Sequence, residues 1–250
     1  MMESLYKVPH RRIDKVPEFL RPLVLWLKSI IVHQKLSESE MEVNRKLAFG
    51  VEYAFGADVE GDIAEFGTMT GRTARVISET LSKFDSNSGA KKKIHLFDSF
   101  MGLPEAESNI DIDSPHVKSG VWSMGTCRGV SKSELRNMCE KFLSADRVVI
   151  YDGWFKDTLR AISPETKYSM VHIDSDLYQS AIEVLSYLFE KRVIQDGTVL
   201  FFDDYNCNGS SPDFGERKAW EETIKRFSVH YTDCGEYGWA GRKFIVHSYD

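Results

Sequence analysis

The stretch Gly61–Ile77, GDIAEFGTMTGRTARVI, reads as a short buried strand, a glycine-bearing turn and the start of an amphipathic helix. An acid (Glu65) closes the strand, and Gly67 and Gly71 frame the turn. Glycine allows a tight turn and close backbone approach at a helix N-terminus, where ligands are commonly bound. The spacing is GxxxG, not the dinucleotide fingerprint GxGxxG. It therefore favours a ligand without a crowded pyrophosphate, with Glu65 as an acceptor for an ammonium or hydroxyl. The plainer alternative is that the glycines serve only the turn.

The same rhythm continues downstream. Apolar runs at 62–66, 93–97, 147–151, 168–173 and 198–202 alternate with helical periods at Arg72–Phe84, Leu177–Lys191 and Phe214–Phe227. Continuous apolar strands separated by helices predict a parallel sheet covered on both faces. Two last runs, SVHYT (228–232) and KFIVHS (243–248), are joined by Asp233–Gly241 without a helix and predict an antiparallel pair at the sheet edge. The expected fold is a doubly wound α/β domain over residues 59–250. Residues 1–58 read as a helical extension, with segments Val16–Lys35 and Ser37–Phe55, the second capped by SESE. Its apolar content suggests a homodimer contact.

One insertion breaks the pattern. Residues 101–129, MGLPEAESNIDIDSPHVKSGVWSMGTCRG, are polar and precede a helix at Ser131–Leu143. Loops beyond ~12–15 residues are uncommon in compact domains and are often functional. At about residues 100–130 this one reads as a substrate lid, or else as a disordered loop. Asn109, Asp111 and Asp113 resemble a calcium loop, but the required glycine is missing.

Composition narrows the function. With 38 acidic against 32 basic residues, net charge −6, the chain lacks the excess of positive charge that grips nucleic acid. Leu20–Val32, the most apolar stretch, contains Arg21, Pro22 and Lys28 and falls short of the ~20 residues that span a bilayer. Cys127, Cys139, Cys207 and Cys234 form no CxxC pair and read as reduced intracellular thiols. With no leader-like N-terminus, the expected location is the cytoplasm.

Acids collect where strands should end. Asp98 follows the second strand, where a carboxylate can accept both ribose hydroxyls; the alternative is a turn aspartate. Asp174 and Asp176 follow the fourth strand, and Asp203 and Asp204 the fifth. Neighbouring strands lie ~4.8 Å apart, so these tips converge, and crowded carboxylates need a compensating cation. Oxygen ligands alone favour Mg²⁺. Within the Asp174–Asp176 pair, one acid would bind metal and the other take a proton; the alternative is that some of these acids cap helices. His95 and His172, inside strands, read as structural, while His116 is the histidine to test against substrate. Trp154, Tyr178 and Tyr205 follow strand tips and suit either pocket lining or packing.

In order along the chain, AEFGTMTGRTA (64–74), FDSFMGLPE (97–105), GWFKDTL (153–159), VHIDSDLYQS (171–180) and FFDDYN (201–206) resemble the macrocin O-methyltransferase (TylF-type) family. The resemblance spans about residues 58–230. It implies a class I methyltransferase fold and methylation of a sugar hydroxyl on a glycosylated small molecule or glycan, with S-adenosylmethionine and Mg²⁺. By the same resemblance, Glu65, Gly67, Thr68 and Gly71 form the cofactor loop, Asp98 and Ser99 meet the ribose, and Asp152 and Gly153 meet the adenine edge. Asp174, Asp203 and Asp204 would be metal ligands, Asp174 also bordering the cofactor, with Asp176 as general base. Residues 122–130 depart from the pattern and leave the acceptor open. Two rivals are a glycosyltransferase using IDSD as a DxD motif and a non-catalytic binding module.

Overall fold

The computed structural model describes residues 21–88 and 91–250, with side-chain surroundings over 39–84 and 91–250. Its seven-stranded sheet has the order β3-β2-β1-β4-β5-β7-β6. The strands are β1 (Asp62–Phe66), β2 (Ile94–Asp98), β3 (Val148–Asp152), β4 (Tyr168–Ile173), β5 (Val199–Phe202), β6 (His230–Tyr237) and β7 (Gly241–Ser248). The first five are parallel; β7 pairs antiparallel with β5 and with β6. This is the doubly wound sheet expected from the alternating runs.

Long helices cover both faces. On one side, α1 (Arg21–Gly56) and α2 (Arg72–Ser88) pack over Ile63, Leu96, Met170 and Phe201. On the other, α7 (Tyr178–Glu190) and α8 (Gly215–Arg226) enclose Phe66, Val171, Phe202 and Trp220. Alternating side chains of each strand feed the two cores, which is why the runs are apolar throughout.

Three expectations change. The N-terminal region is one continuous helix across SESE, not two helices capped there; residues 16–20 of the expected first segment lie outside the described residues. Tertiary packing overrides the local capping signal. Leu47, Val51 and Ala54 of α1 are fully buried, and a Cβ on Gly50 would stand 2.6 Å from the Phe201 ring. Helix and sheet therefore touch closely, and the boundary near residue 58 does not divide two cores. At the other end, the loop expected at Asp233–Gly241 shrinks to residues 238–240, because both strands run on. A register shift between Asp233 and Glu236 absorbs the irregularity that hid this in the sequence.

The third change concerns the insertion. It is ordered, and carries α3 (Asn109–Asp113) and α4 (Pro115–Lys118) before α5 (Lys132–Cys139). Leu103 and Trp122 are buried against Leu177, Cys207 and Ala240. Asp111, only 1% exposed, caps α7 by accepting the Tyr178 and Gln179 N–H groups at 2.8 and 3.0 Å. Its place in a calcium-like pattern thus reflects a helix cap supplied from a distant segment. His116 is similarly employed: it stacks on Trp122 and its Nδ1 lies 2.8 Å from Asn208 Oδ1.

Candidate active site

The C-terminal ends of β1, β2, β4 and β5 form one edge, locked by backbone bonds that outlast the strands. Gly67 N–H donates to Phe97 O at 2.9 Å, Asp174 N–H to Phe66 O at 2.9 Å, and Asp203 N–H to Ile173 O at 2.9 Å. Gly67 has φ +91°, and a Cβ there would lie 1.8 Å from the Asp174 carbonyl oxygen. Glycine is required at this position because two chain segments meet. Gly71 packs beneath Leu135 and Met138.

Asp98 shapes the glycine loop directly. Its Oδ2 accepts Thr68 N–H (2.8 Å), Thr68 Oγ1–H (2.7 Å) and Met69 N–H (3.2 Å), and its Oδ1 accepts Phe100 N–H (2.7 Å). The turn-aspartate alternative thus describes its contacts within the chain. Ser99 Oγ–H donates to Gly102 O at 2.9 Å. On the neighbouring tip, Asp152 is exposed and pairs with Lys132 at 3.4 Å, while Gly153 N–H donates to Asp98 O at 3.0 Å.

Below the loop lies a buried polar chain. Glu65 and His172 are both inaccessible, with Glu65 Oε1 2.8 Å from His172 Nδ1. Their strand positions are register partners on β1 and β4. His172 Nε2 is 3.7 Å from Asp203 Oδ1, and Glu65 Oε2 has no hydrogen-bond partner among the described residues. Burial opposes charge on His172, but Asp203 and Glu65 raise its pKa well above the ordinary histidine value. Burial likewise opposes charge on Asp203, yet His172 holds its carboxyl below the usual range. His172 is structural, as its strand position suggests, and it connects the two strand tips.

The acid cluster is compact. One carboxylate oxygen from each of Asp174, Asp176 and Asp204 lies within 4.8 Å of the others. Asp203 instead turns toward His172, so the expected ligand trio and the observed trio share Asp174 and Asp204. Burial, then the neighbouring carboxylates, push the pKa values of Asp174, Asp176 and Asp204 well above the ordinary range. Three acids so placed fit a hard divalent cation, which would relieve their repulsion. The unpartnered Glu65 Oε2 fits an ammonium-bearing cofactor in the same manner.

One acid escapes a reading of the sequence. Glu216, fully buried in the first turn of α8, accepts Ser175 N–H at 2.9 Å, Ser175 Oγ–H at 3.3 Å and Asp204 N–H at 3.0 Å. Acids in a first helical turn usually serve their own helix, so only the tertiary contact distinguishes this one.

The sequence model of the macrocin-O-methyltransferase (TylF) family matches residues 41–228, which include every one of these site residues. The chain belongs to this family. Membership makes it an S-adenosylmethionine-dependent O-methyltransferase, and it removes the glycosyltransferase and binding-module readings of the aspartates. Among relatives of this TylF-family chain is the 8-demethyl-8-(2,3-dimethoxy-alpha-L-rhamnosyl)-tetracenomycin-C 4'-O-methyltransferase of Streptomyces olivaceus, 29% identical over 71% of this chain and 67% of that protein. Another is the demethyldecarbamoylnovobiocin O-methyltransferase of Streptomyces niveus, 28% identical over 62% of this chain; the chain spans 56% of that relative's length. The fold resembles that of the O-methyltransferase NovP, with a TM-score of 0.67 at 22% identity, covering 83% of this chain and 80% of that one. It also resembles CalS11, a calicheamicin methyltransferase, with a TM-score of 0.62 at 20% identity, covering 96% and 94%.

Proposed function

We propose that this protein methylates a sugar hydroxyl of a glycosylated small molecule, with S-adenosylmethionine as donor and Mg²⁺ at the strand-tip acids. The observation that carries the cation is the convergence of Asp174, Asp176 and Asp204 within 4.8 Å. Relatives named for methylation of glycosylated natural products support the acceptor class. Asp174 and Asp204 would hold the ion. Asp203, whose charge His172 maintains, is turned toward that ring and borders the set from outside the trio. When bound, the ion acts as a Lewis acid that lowers the pKa of an acceptor hydroxyl and orients it.

The remaining work falls to the chain. Asp176, beside the two ligands, would take the hydroxyl proton as the acceptor oxygen gains the methyl group, the S–CH3 bond breaks and S-adenosylhomocysteine leaves as a neutral thioether. Burial, then the neighbouring carboxylates, hold the Asp176 pKa above the ordinary carboxylate range, which makes it a stronger base. Thr68, Met69 and Asp98 fix the glycine loop that receives the cofactor, with Gly71, Ser99, Asp152 and Gly153 along its rim, and Glu65 Oε2 accepts from its ammonium group. The insertion at 101–129 covers the acceptor side and excludes water. Calorimetric titration of S-adenosylhomocysteine, with and without Mg²⁺, tests the assignment: binding that survives metal removal is expected, and no binding in either condition overturns it.

Asp98→Ala should weaken S-adenosylhomocysteine binding about tenfold or more, because hydrogen bonds to a charged group contribute ~1.5–3 kcal/mol and three hold this loop. An unchanged Kd removes Asp98 from the cofactor site.

The acids also set a pH dependence. Their folded pKa values are raised, so the stability they contribute is full below the ordinary carboxylate range, near 3.8, and is lost as pH rises through the folded values. A bound cation offsets that loss. The gain in Tm on adding Mg²⁺ should therefore grow as pH rises above the ordinary carboxylate range. A gain independent of pH would place the ion elsewhere.

Among the described residues no helix is long and apolar enough to cross a membrane. Met41 and Phe49 of α1 are exposed, and they support the proposal of a homodimer through this helix. A monomeric mass by light scattering removes it.

A further inference from the structure

We infer that Glu216 is a positioning residue that braces the two acid-bearing turns against each other and so presets the cation site; this rests on the cation reading above. The turn after β4 carries Asp174 and Asp176, with Ser175 between them. The turn after β5 carries Asp203 and Asp204. No strand pairing extends to Ser175 or Asp204, so another group must fix their separation. Glu216 does so with both oxygens: Oε1 takes the Ser175 N–H and hydroxyl, and Oε2 takes the Asp204 N–H. The carboxyl group is inaccessible to solvent, which makes the loss of these bonds costly.

The turn it holds is strained. Asp176 has φ +60°, a left-handed conformation unusual for a non-glycine residue. Such conformations cost ~1–3 kcal/mol and persist only where the surroundings over-determine them. One restraint accompanies the brace here: Leu177 N–H donates to Ser175 O at 2.6 Å. With its backbone fixed on both sides, the Asp176 carboxylate is delivered beside Asp174 and Asp204. Glu216 is not one of the three converging acids; it acts through the backbone of the turns that carry them. Outer partners of this kind typically change metal affinity 10–100-fold when removed.

The test uses Mn²⁺ as a spectroscopic probe of the full-length protein saturated with S-adenosylhomocysteine. In Glu216→Gln, one oxygen becomes an amide donor facing a backbone donor, so one arm of the brace is lost. In Glu216→Asp, the charge remains but the shorter side chain cannot span both turns. Both variants should bind Mn²⁺ at least about tenfold more weakly by electron paramagnetic resonance, with S-adenosylhomocysteine affinity within about twofold of wild type. Wild-type Mn²⁺ affinity in Glu216→Asp would show that only charge matters and would overturn the brace. That variant also serves if Glu216→Gln does not fold. An equal loss of Mn²⁺ and S-adenosylhomocysteine binding would mark a general structural role and overturn it too. If the wild-type protein binds no Mn²⁺, the cation reading fails, and this role falls with it.

Discussion

Asp204→Asn is expected to lower kcat by about a thousandfold while leaving S-adenosylhomocysteine affinity within about twofold. A metal ion acting as Lewis acid contributes several kcal/mol to transition-state stabilisation, and each ~1.36 kcal/mol is a factor of ten in rate. Asparagine keeps the size and one acceptor oxygen but removes the negative charge from the centre of the cluster. The backbone bond from Asp204 N–H to Glu216 is untouched, and so is the capacity to accept from Cys207 Sγ, now 3.0 Å from Asp204 Oδ1. The turn should therefore keep its shape, and the loss would report on the cation. Single-turnover methyl transfer to a glycoside acceptor, together with the Mg²⁺-induced change in Tm, makes the measurement. Turnover within tenfold of wild type would remove Asp204 from the ligand set.

Gly67→Ala should destabilise the protein strongly. The residue sits at φ +91°, outside what an L side chain adopts without strain, and the new carbon would lie 1.8 Å from the Asp174 carbonyl oxygen. Backbone strain of this kind costs ~1–3 kcal/mol before any steric overlap is counted. Relieving the overlap means separating β1 from β4 where Asp174 N–H reaches Phe66 O. A total loss of about 3 kcal/mol or more would lower Tm by roughly 10 °C in a chain of this size. Gly125→Ala is the matched control: it has φ +77° with nothing within 4 Å of the added carbon, so its loss should stay near ~1 kcal/mol. Equal melting shifts for the two variants would mean that chain contact does not decide the identity of residue 67.

Sequence alone determined the sheet, the acid positions and the family. Apolar runs of strand length separated by helical periods admit few arrangements, and the aspartates had to follow strands because the apolar pattern stops at them. Short motifs in fixed order then carried the family resemblance at 64–74, 97–105, 153–159, 171–180 and 201–206. What remained hidden depended on partners distant in the chain. The continuity of α1 through SESE follows from Leu47 and Val51 burying against the sheet, a gain that outweighs any local capping preference. Asp111 reads as part of a calcium-like pattern, yet it caps α7, whose first residues lie 67 and 68 positions downstream. Asp98 reads as a ribose acceptor, and the structure adds its grip on Thr68 and Met69. Of the four acids at these strand tips, Asp203 is set apart by His172 on the neighbouring strand. Glu216 looks like any first-turn acid until α8 folds back over the strand tips. Periodicity reports on what a segment buries, because burial repeats along an element. It cannot report which buried acid meets which distant backbone N–H, because that depends on how the elements are placed together in space.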